Sequence, residues 1–183
     1  MQRCKWCNLK NPIYIKYHDE EWGKPNFDER HLFEMLLLES FQAGLSWECV
    51  LNKREAFRKA FDGFDVDLVA LYDEAKIEAL RLDSGIIRNR RKISAAVENA
   101  KIFKLIQAEF GSFKAYIETF TNGECFVEIG KTTSQLSDTI SKDLFSRGMK
   151  FVGSTIIYSY LQAIGVIDSH EPECFLYQES TAQ

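Results

Sequence analysis

The sequence is poor in the two residues that interrupt regular structure, with 3 Pro and 10 Gly in 183 residues. That excludes a collagen-like polymer and a Pro/Gly-rich disordered chain, and no stretch reads as a linker between domains. Positive charge is also short: 23 Lys and Arg against 27 Asp and Glu give a net charge of −4. No global basic field advertises a nucleic-acid partner, so such a partner would have to be held by local features. Long apolar runs are missing as well. The longest uncharged stretch, Phe151 to Ile167, contains Ser154, Thr155, Ser159 and Gln162 and falls short of a bilayer span. A buried core helix and no membrane association are expected. The start, Met1-Gln2-Arg3-Cys4-Lys5-Trp6-Cys7, is too polar for a secretory signal. Five cysteines cannot pair fully within one chain, so reduced thiols and a cytoplasmic setting are expected, with a monomer as the default.

What is abundant is apolar and aromatic. Hydrophobic residues make up 45% of the chain, including 14 Phe, 7 Tyr and 3 Trp, enough for one ordinary core in a single domain over 1–183. Helical patterns dominate. Asp28 reads as an N-cap opening a helix towards Gln42, and Ser46 as the cap of one running from Trp47 to about Phe61. Asp73 caps a short helix through Leu80 and Leu82, and a longer one runs from about Asn89 to Phe110, ended by Gly111. Further helices are expected over Phe113–Phe120, Ser137–Phe145 and Ser154–Ile164, with Gly165 as the last stop and a weak extended segment at Glu124–Ile129. The expected fold class is all-α with short connections.

Four residues near the two ends have the chemistry of a metal site. His170-x3-Cys174 places two ligands on one helical face or around one turn, and Cys4 with His18 could close a tetrahedral Cys2His2 set suited to zinc. Such a site would tie both termini together. The competing reading is four unrelated core or surface residues, because no pair matches a finger signature. Cys7 adds a Cys4-x2-Cys7 spacing, itself a metal or redox pattern, although no strand precedes it to favour a redox motif.

A second feature lies inside the apolar run Leu32-Phe33-Glu34-Met35-Leu36-Leu37-Leu38-Glu39-Ser40. Glu39 sits at i+7 from Leu32 and i+3 from Leu36, on the stripe that should face inward, whereas Glu34 falls off it. A buried carboxylate is costly unless paired or reserved for a ligand. The bland alternative is a Glu at the edge of the stripe reaching solvent. The Gly-containing turn Gln42-Ala43-Gly44-Leu45-Ser46 brings Trp47 close behind, and Tyr14, Tyr17 and Trp22 cluster upstream. A carboxylate and aromatic faces around one cleft would suit a flat, cationic guest, though aromatic clusters are more often plain core.

A third feature is Lys150-Phe151-Val152-Gly153-Ser154-Thr155, a Gly just before a helix N-terminus with Lys150 and Arg147 nearby, an arrangement able to hold phosphate. The densest basic run, Arg88-Asn89-Arg90-Arg91-Lys92, reads as a solvated helix start, or with this hairpin as a phosphate-binding face.

Taken in order, Tyr14-Ile15-Lys16-Tyr17-His18-Asp19-Glu20-Glu21-Trp22-Gly23, Gln42-Ala43-Gly44-Leu45-Ser46-Trp47, Gly85-Ile86-Ile87-Arg88 and Lys150-Phe151-Val152-Gly153-Ser154-Thr155 resemble the 3-methyladenine DNA glycosylase I family, the constitutive bacterial type. The resemblance runs from Arg3-Cys4 to His170 and Cys174. It implies a helix-hairpin-helix glycosylase fold with a structural Zn2+ held by Cys4, His18, His170 and Cys174, leaving Cys7 outside the ligand set. It implies a base pocket of Glu39 as the catalytic carboxylate with Trp47, Tyr17, Tyr14 and Trp22. Lys150, Gly153, Ser154 and Thr155 would grip the DNA backbone, and Gly44-Leu45 would approach the gap left in the duplex. The implied activity is base-excision repair, the flipping out and hydrolytic removal of 3-methyladenine from alkylated double-stranded DNA. Asp168 stands where wider relatives keep a catalytic aspartate, or is a partner of His170. The alternatives are a helix-hairpin-helix module that binds DNA without chemistry, a zinc hydrolase of small molecules, and a thiol-redox role for Cys4 and Cys7.

Overall fold

The structure, a computed structural model, describes residues 1–177; residues 178–183, the last stretch of the expected domain, lie outside the described residues. The chain is mostly helical. Its helices are α1 (Pro12–Glu20), α2 (Glu29–Gln42), α3 (Trp47–Leu51), α4 (Arg54–Ala60), α5 (Val66–Val69), α6 (Glu74–Leu82), α7 (Arg90–Phe110), α8 (Phe113–Thr121), α9 (Gln135–Ser146) and α10 (Ser154–Ala163). Two-residue strands β1 (Phe126–Val127) and β2 (Ile167–Asp168) pair in parallel, Phe126 opposite Ile167. The all-α expectation is therefore amended by this one ladder, part of which falls in the expected extended segment.

Local chemistry fixes most helix starts. Asn11, Asp28, Ser46, Asp65, Asp73, Asn89, Ser112 and Ser134 each accept a backbone N–H in the first turn of the following helix. Helix α1 was not expected, although Asn11 as cap and Pro12 at the first helical position form a start signal. The helix expected from Trp47 to Phe61 is broken at Asn52 and Lys53. There the backbone bonds shorten, with Lys53 N–H donating to Val50 O, while Asn52 Oδ1 accepts from Asn11 Nδ2 at 2.9 Å and Lys53 Nζ reaches Gly85 O at 3.1 Å. Tertiary bonds thus override an unbroken helical pattern.

Helix α2 is the axis of the core. Every residue from Leu32 to Phe41 is buried, the signature of a helix covered on all sides rather than along one stripe. It packs against α3, α7, α8 and α10. Gly165 follows α10 at φ +75°, where an added Cβ would collide with the backbone of Lys24 and Pro25, so only Gly permits this approach. That contact lays the segment after α1 along the end of α10 and sets Trp22 beside the residues that follow β2.

Candidate active site

Helices α1, α2 and α3 and the C-terminal half of α10 enclose a cavity of about 390 Å³, within the usual range for a small-ligand site. Its lining includes Tyr14, Tyr17 and Trp22 from α1 and its exit, Glu39 and Gln42 from α2, and Trp47 from α3. The five side chains singled out in the sequence as a carboxylate–aromatic pocket therefore meet in one hollow. The Tyr17 and Trp47 rings lie 5.3 Å apart.

Glu39 is 2% exposed, and its Oε2 is buried without a hydrogen-bond partner. Burial alone pushes its pKa well above the ordinary carboxylate value, with no neighbouring cation to oppose the shift. Burial, helped by the charge of Glu39, also raises the Tyr17 pKa well above normal; at Tyr14 burial leads, followed by Glu48, Cys7 and Glu39, and lifts it to about 12. Both phenols stay neutral and able to donate. Trp47 Nε1 is buried without a partner. The cavity thus keeps unspent hydrogen-bonding capacity inside an aromatic frame, which is what a polar flat guest requires.

Glu34, one turn and a half earlier on α2, corrects the expectation that it falls off the inward face. It is 6% exposed, but Arg54 Nε and Arg58 Nη2 donate to its Oε1 at 2.7 and 2.8 Å. The stripe argument failed because α2 is buried all round.

The residues at the two ends do converge. One ligand atom each of Cys4, His18 and Cys174 lies within 4.8 Å of the others. His18 Nδ1 faces Asp19 Oδ1 at 2.8 Å, and its Nε2 accepts from Cys4 N–H at 3.3 Å and sits 3.5 Å from Cys174 Sγ. His170 falls outside that three-residue cluster, yet its ring is 5.2 Å from that of His18 and its Nε2 is buried without a partner. Asp168 Oδ1 holds His170 Nδ1 at 2.6 Å, so each imidazole has a carboxylate behind it and Nε2 in front, the way metal-binding histidines are oriented. Asp168 therefore stands behind His170 and is not among the residues lining the cavity. Burial lowers the His18 pKa despite Asp19 and lifts that of the Cys4 thiol to about 12. Cys7 Sγ instead points at Tyr14 O, 3.9 Å away.

This cluster backs directly onto the cavity. Trp22 packs edge-on to His170 at 4.8 Å and stacks over His18, and Trp6 meets Trp22 at 4.7 Å. Glu171 N–H donates to Cys4 Sγ at 3.4 Å while Glu171 lines the cavity. Trp6 was missed in the sequence, although it lies between Cys4 and Cys7. Ser159, Gln162, Ser169, Glu171 and the segment Ile129-Gly130-Lys131 were missed too; only Ser159 and Gln162, three apart on one helix face, carried a readable spacing.

The basic elements divide. Lys92 is 6% exposed, its Nζ donating to Phe41 O at 2.7 Å and Ala43 O at 2.6 Å, so it closes the C-terminus of α2. Arg90 pairs with Glu74 and Glu78. The run is thus not simply a solvated helix start. Arg88, Arg91 and Lys150 form no ion pair among the described residues. Asn99 clamps the turn between α9 and α10 at Lys150 from both sides, at 2.8 and 2.9 Å. Gly153 is the bare N-cap of α10, while the Ser154 hydroxyl is already engaged by Ser137 and Asp138. Lys92 also lies 5.9 Å over the Phe151 ring, which places the Gly44-Leu45 turn and the α9–α10 turn on one flank.

A helical protein with an unpartnered carboxylate inside an aromatic cavity has the features that binding a flat guest bearing positive charge requires. The chain belongs to the methyladenine glycosylase family, whose family model matches residues 6–177. It is 43% identical to DNA-3-methyladenine glycosylase 1 of Escherichia coli (strain K12), with 97% of each chain covered. Its fold matches a crystal structure of 3-methyladenine DNA glycosylase I with a TM-score of 0.91 at 42% identity, covering 97% of this chain and 100% of that one. It also matches the Staphylococcus aureus enzyme, solved to explain 3-methyladenine recognition, with a TM-score of 0.89 at 34% identity over 94% and 96% of the two chains.

Proposed function

We propose that this chain is a DNA glycosylase that flips 3-methyladenine out of alkylated duplex DNA and hydrolyses its bond to the sugar. The observation that carries the reading is Glu39, buried, without a partner at Oε2, in a cavity framed by Trp47, Tyr17, Tyr14 and Trp22. Methylation at N3 gives adenine a positive charge and weakens its glycosidic bond. Extruding a base costs a few kcal/mol, least for a damaged pair. The flipped base stacks on Trp47, and Glu39 accepts one N–H of its amino group. The base cation takes the place of the counter-charge Glu39 lacks, so the carboxylate ionises as the base enters. Neutral adenine offers no such charge. When the bond breaks, its electron pair goes to the base, which leaves neutral. The positive charge passes to the sugar, where the Glu39 carboxylate favours it until water adds. No strong general acid is needed.

Cys4, His18, His170 and Cys174 would hold a zinc ion, with Asp19 and Asp168 orienting the imidazoles. Four protein ligands make it a structural centre. When bound it joins the chain ends and steadies the Trp6–Trp22 wall; what these residues do for the base is hold that wall against His18 and His170.

The α9–α10 pair is the helix-hairpin-helix element of this reading. Backbone N–H groups at Gly153 and Thr155 and the Lys150 ammonium meet phosphate, and Leu45, exposed beside Gly44, enters the space vacated by the base. Incubation with methylated DNA, followed by identification of the released bases, tests the function: free 3-methyladenine is expected, and its absence with intact DNA binding would favour a binding module without chemistry.

A further inference from the structure

Gln162 and Ser169 form a second polar edge of the cavity, and none of the chemistry above uses them. Both line the hollow. Gln162 Nε2 donates to Ser169 Oγ at 2.7 Å. The Gln162 backbone is fixed as well, since its carbonyl accepts from Gly23 N–H at 2.9 Å, and Ser169 is buried beside His170.

The direction of the Gln162–Ser169 bond decides which amide atom is left over. Gln162 spends an amide N–H on Ser169 Oγ, and of its two amide ends the NH2 only donates while the carbonyl oxygen only accepts. On the Ser169 side no second acceptor among the described residues competes for that N–H, while Tyr158 Oη and Glu128 Oε2 are buried without a hydrogen-bond partner there. The Gln162 Oε1 atom remains as an acceptor.

We propose that Gln162 is a specificity-determining residue that accepts from the exocyclic amino group of the flipped purine, with Ser169 as the positioning residue that keeps its amide from turning over. The site so equipped takes 6-amino purines and disfavours 6-oxo purines, whose O6 would face an acceptor. A 6-oxo base would leave that acceptor unpaired and opposed by a second lone pair, an effect on the order of tenfold or more.

This rests on the glycosylase reading, and the test separates the two. DNA methylated to contain both 3-methyladenine and 3-methylguanine is treated with wild type, Gln162→Leu, Gln162→Glu and Ser169→Ala, and the ratio of the two released bases is measured. A ratio within one digest does not depend on the fraction of folded enzyme. The expected ratio of adenine to guanine product falls about tenfold in Gln162→Leu. It falls less in Ser169→Ala, where the freed amide can turn its NH2 to O6, and is kept in Gln162→Glu, which still accepts. An unchanged ratio in Gln162→Leu and Ser169→Ala overturns the assignment of Gln162 while leaving the glycosylase reading intact. No released base from wild type overturns the glycosylase reading itself.

Discussion

Glu34 and Glu39 lie five residues apart on α2, both buried, and they are treated oppositely by their surroundings. Glu34 holds Arg54 and Arg58, and Arg54 in turn reaches Glu21 at 2.7 Å. Glu39 has a cavity. The lesson is that a buried charge with its partners in place belongs to the fold, whereas one without them is held for something that arrives. The same contrast separates the cations: Lys92 spends its ammonium on Phe41 O and Ala43 O, while Lys150 spends its on nothing charged among the described residues.

The largest expected effect comes from making the same change at both carboxylates. Glu34→Gln removes the buried charge shared by Arg54, largely buried, and Arg58, which is 41% exposed, and should cost about 2 kcal/mol, or about 6 °C in Tm. Glu39→Gln removes the cost of keeping an ionisable acid buried without a partner and should raise stability by about 1 kcal/mol at neutral pH. Thermal unfolding of the two variants side by side reads the difference. Equal destabilisation would erase the distinction on which the comparison stands.

Much of this was legible in the chain. The caps Asp28, Ser46 and Asp73 announced their helices, because capping is a bond between residues two or three apart. Glu39 was legible because its spacing from Leu32 and Leu36 put a carboxylate on an apolar stripe. The burial of Glu34 was not, since it depends on Arg54 and Arg58 arriving from another helix, and neither was Lys92, whose partners are carbonyls about fifty residues away. The break at Asn52 is likewise tertiary, set by Asn11 and by the Lys53 contact with Gly85. Trp6, Ser169 and Glu171 join the cavity only because the two chain ends meet at Cys4 and Cys174, a closure that pairwise spacing leaves open.

Metal content sharpens the comparison at the cavity's back wall. Freshly purified protein should carry one zinc per chain by elemental analysis, and Cys174→Ala none, with Tm lowered by roughly 5 °C through loss of a structural centre. Because the Cys4 thiol must lose a proton held up to about 12 in the absence of metal, retention should weaken as pH falls. Wild-type protein without zinc would remove the reading of these residues as ligands.

The unpartnered state of Glu39 also sets a pH signature. Its folded pKa lies well above the unfolded value, so the folded protein holds the extra proton to higher pH. The stability of wild type relative to Glu39→Gln therefore declines as pH rises from about 4.5 through the raised pKa, and the two converge below that range. Excision follows the opposite course in the same window. It climbs as Glu39 ionises, because 3-methyladenine in DNA is already cationic, and Glu39→Gln should lose that slope.

The smallest effect concerns the free cations. Three of them, Arg88, Arg91 and Lys150, would give a slope of log K against log salt of about −2.7. Lys150→Ala should lower its magnitude by about 1 and weaken binding to damaged and undamaged duplex alike. A variant with an unchanged slope would place Lys150 away from the phosphates.

The most direct measurement is single-turnover release of 3-methyladenine from methylated DNA by Glu39→Gln, beside its binding to the same duplex and its Tm. The expected result is a protein at least as stable as wild type that binds DNA normally and excises about 100-fold or more slowly. Excision at the wild-type rate would contradict the claim that Glu39 is kept unpaired for the charged base.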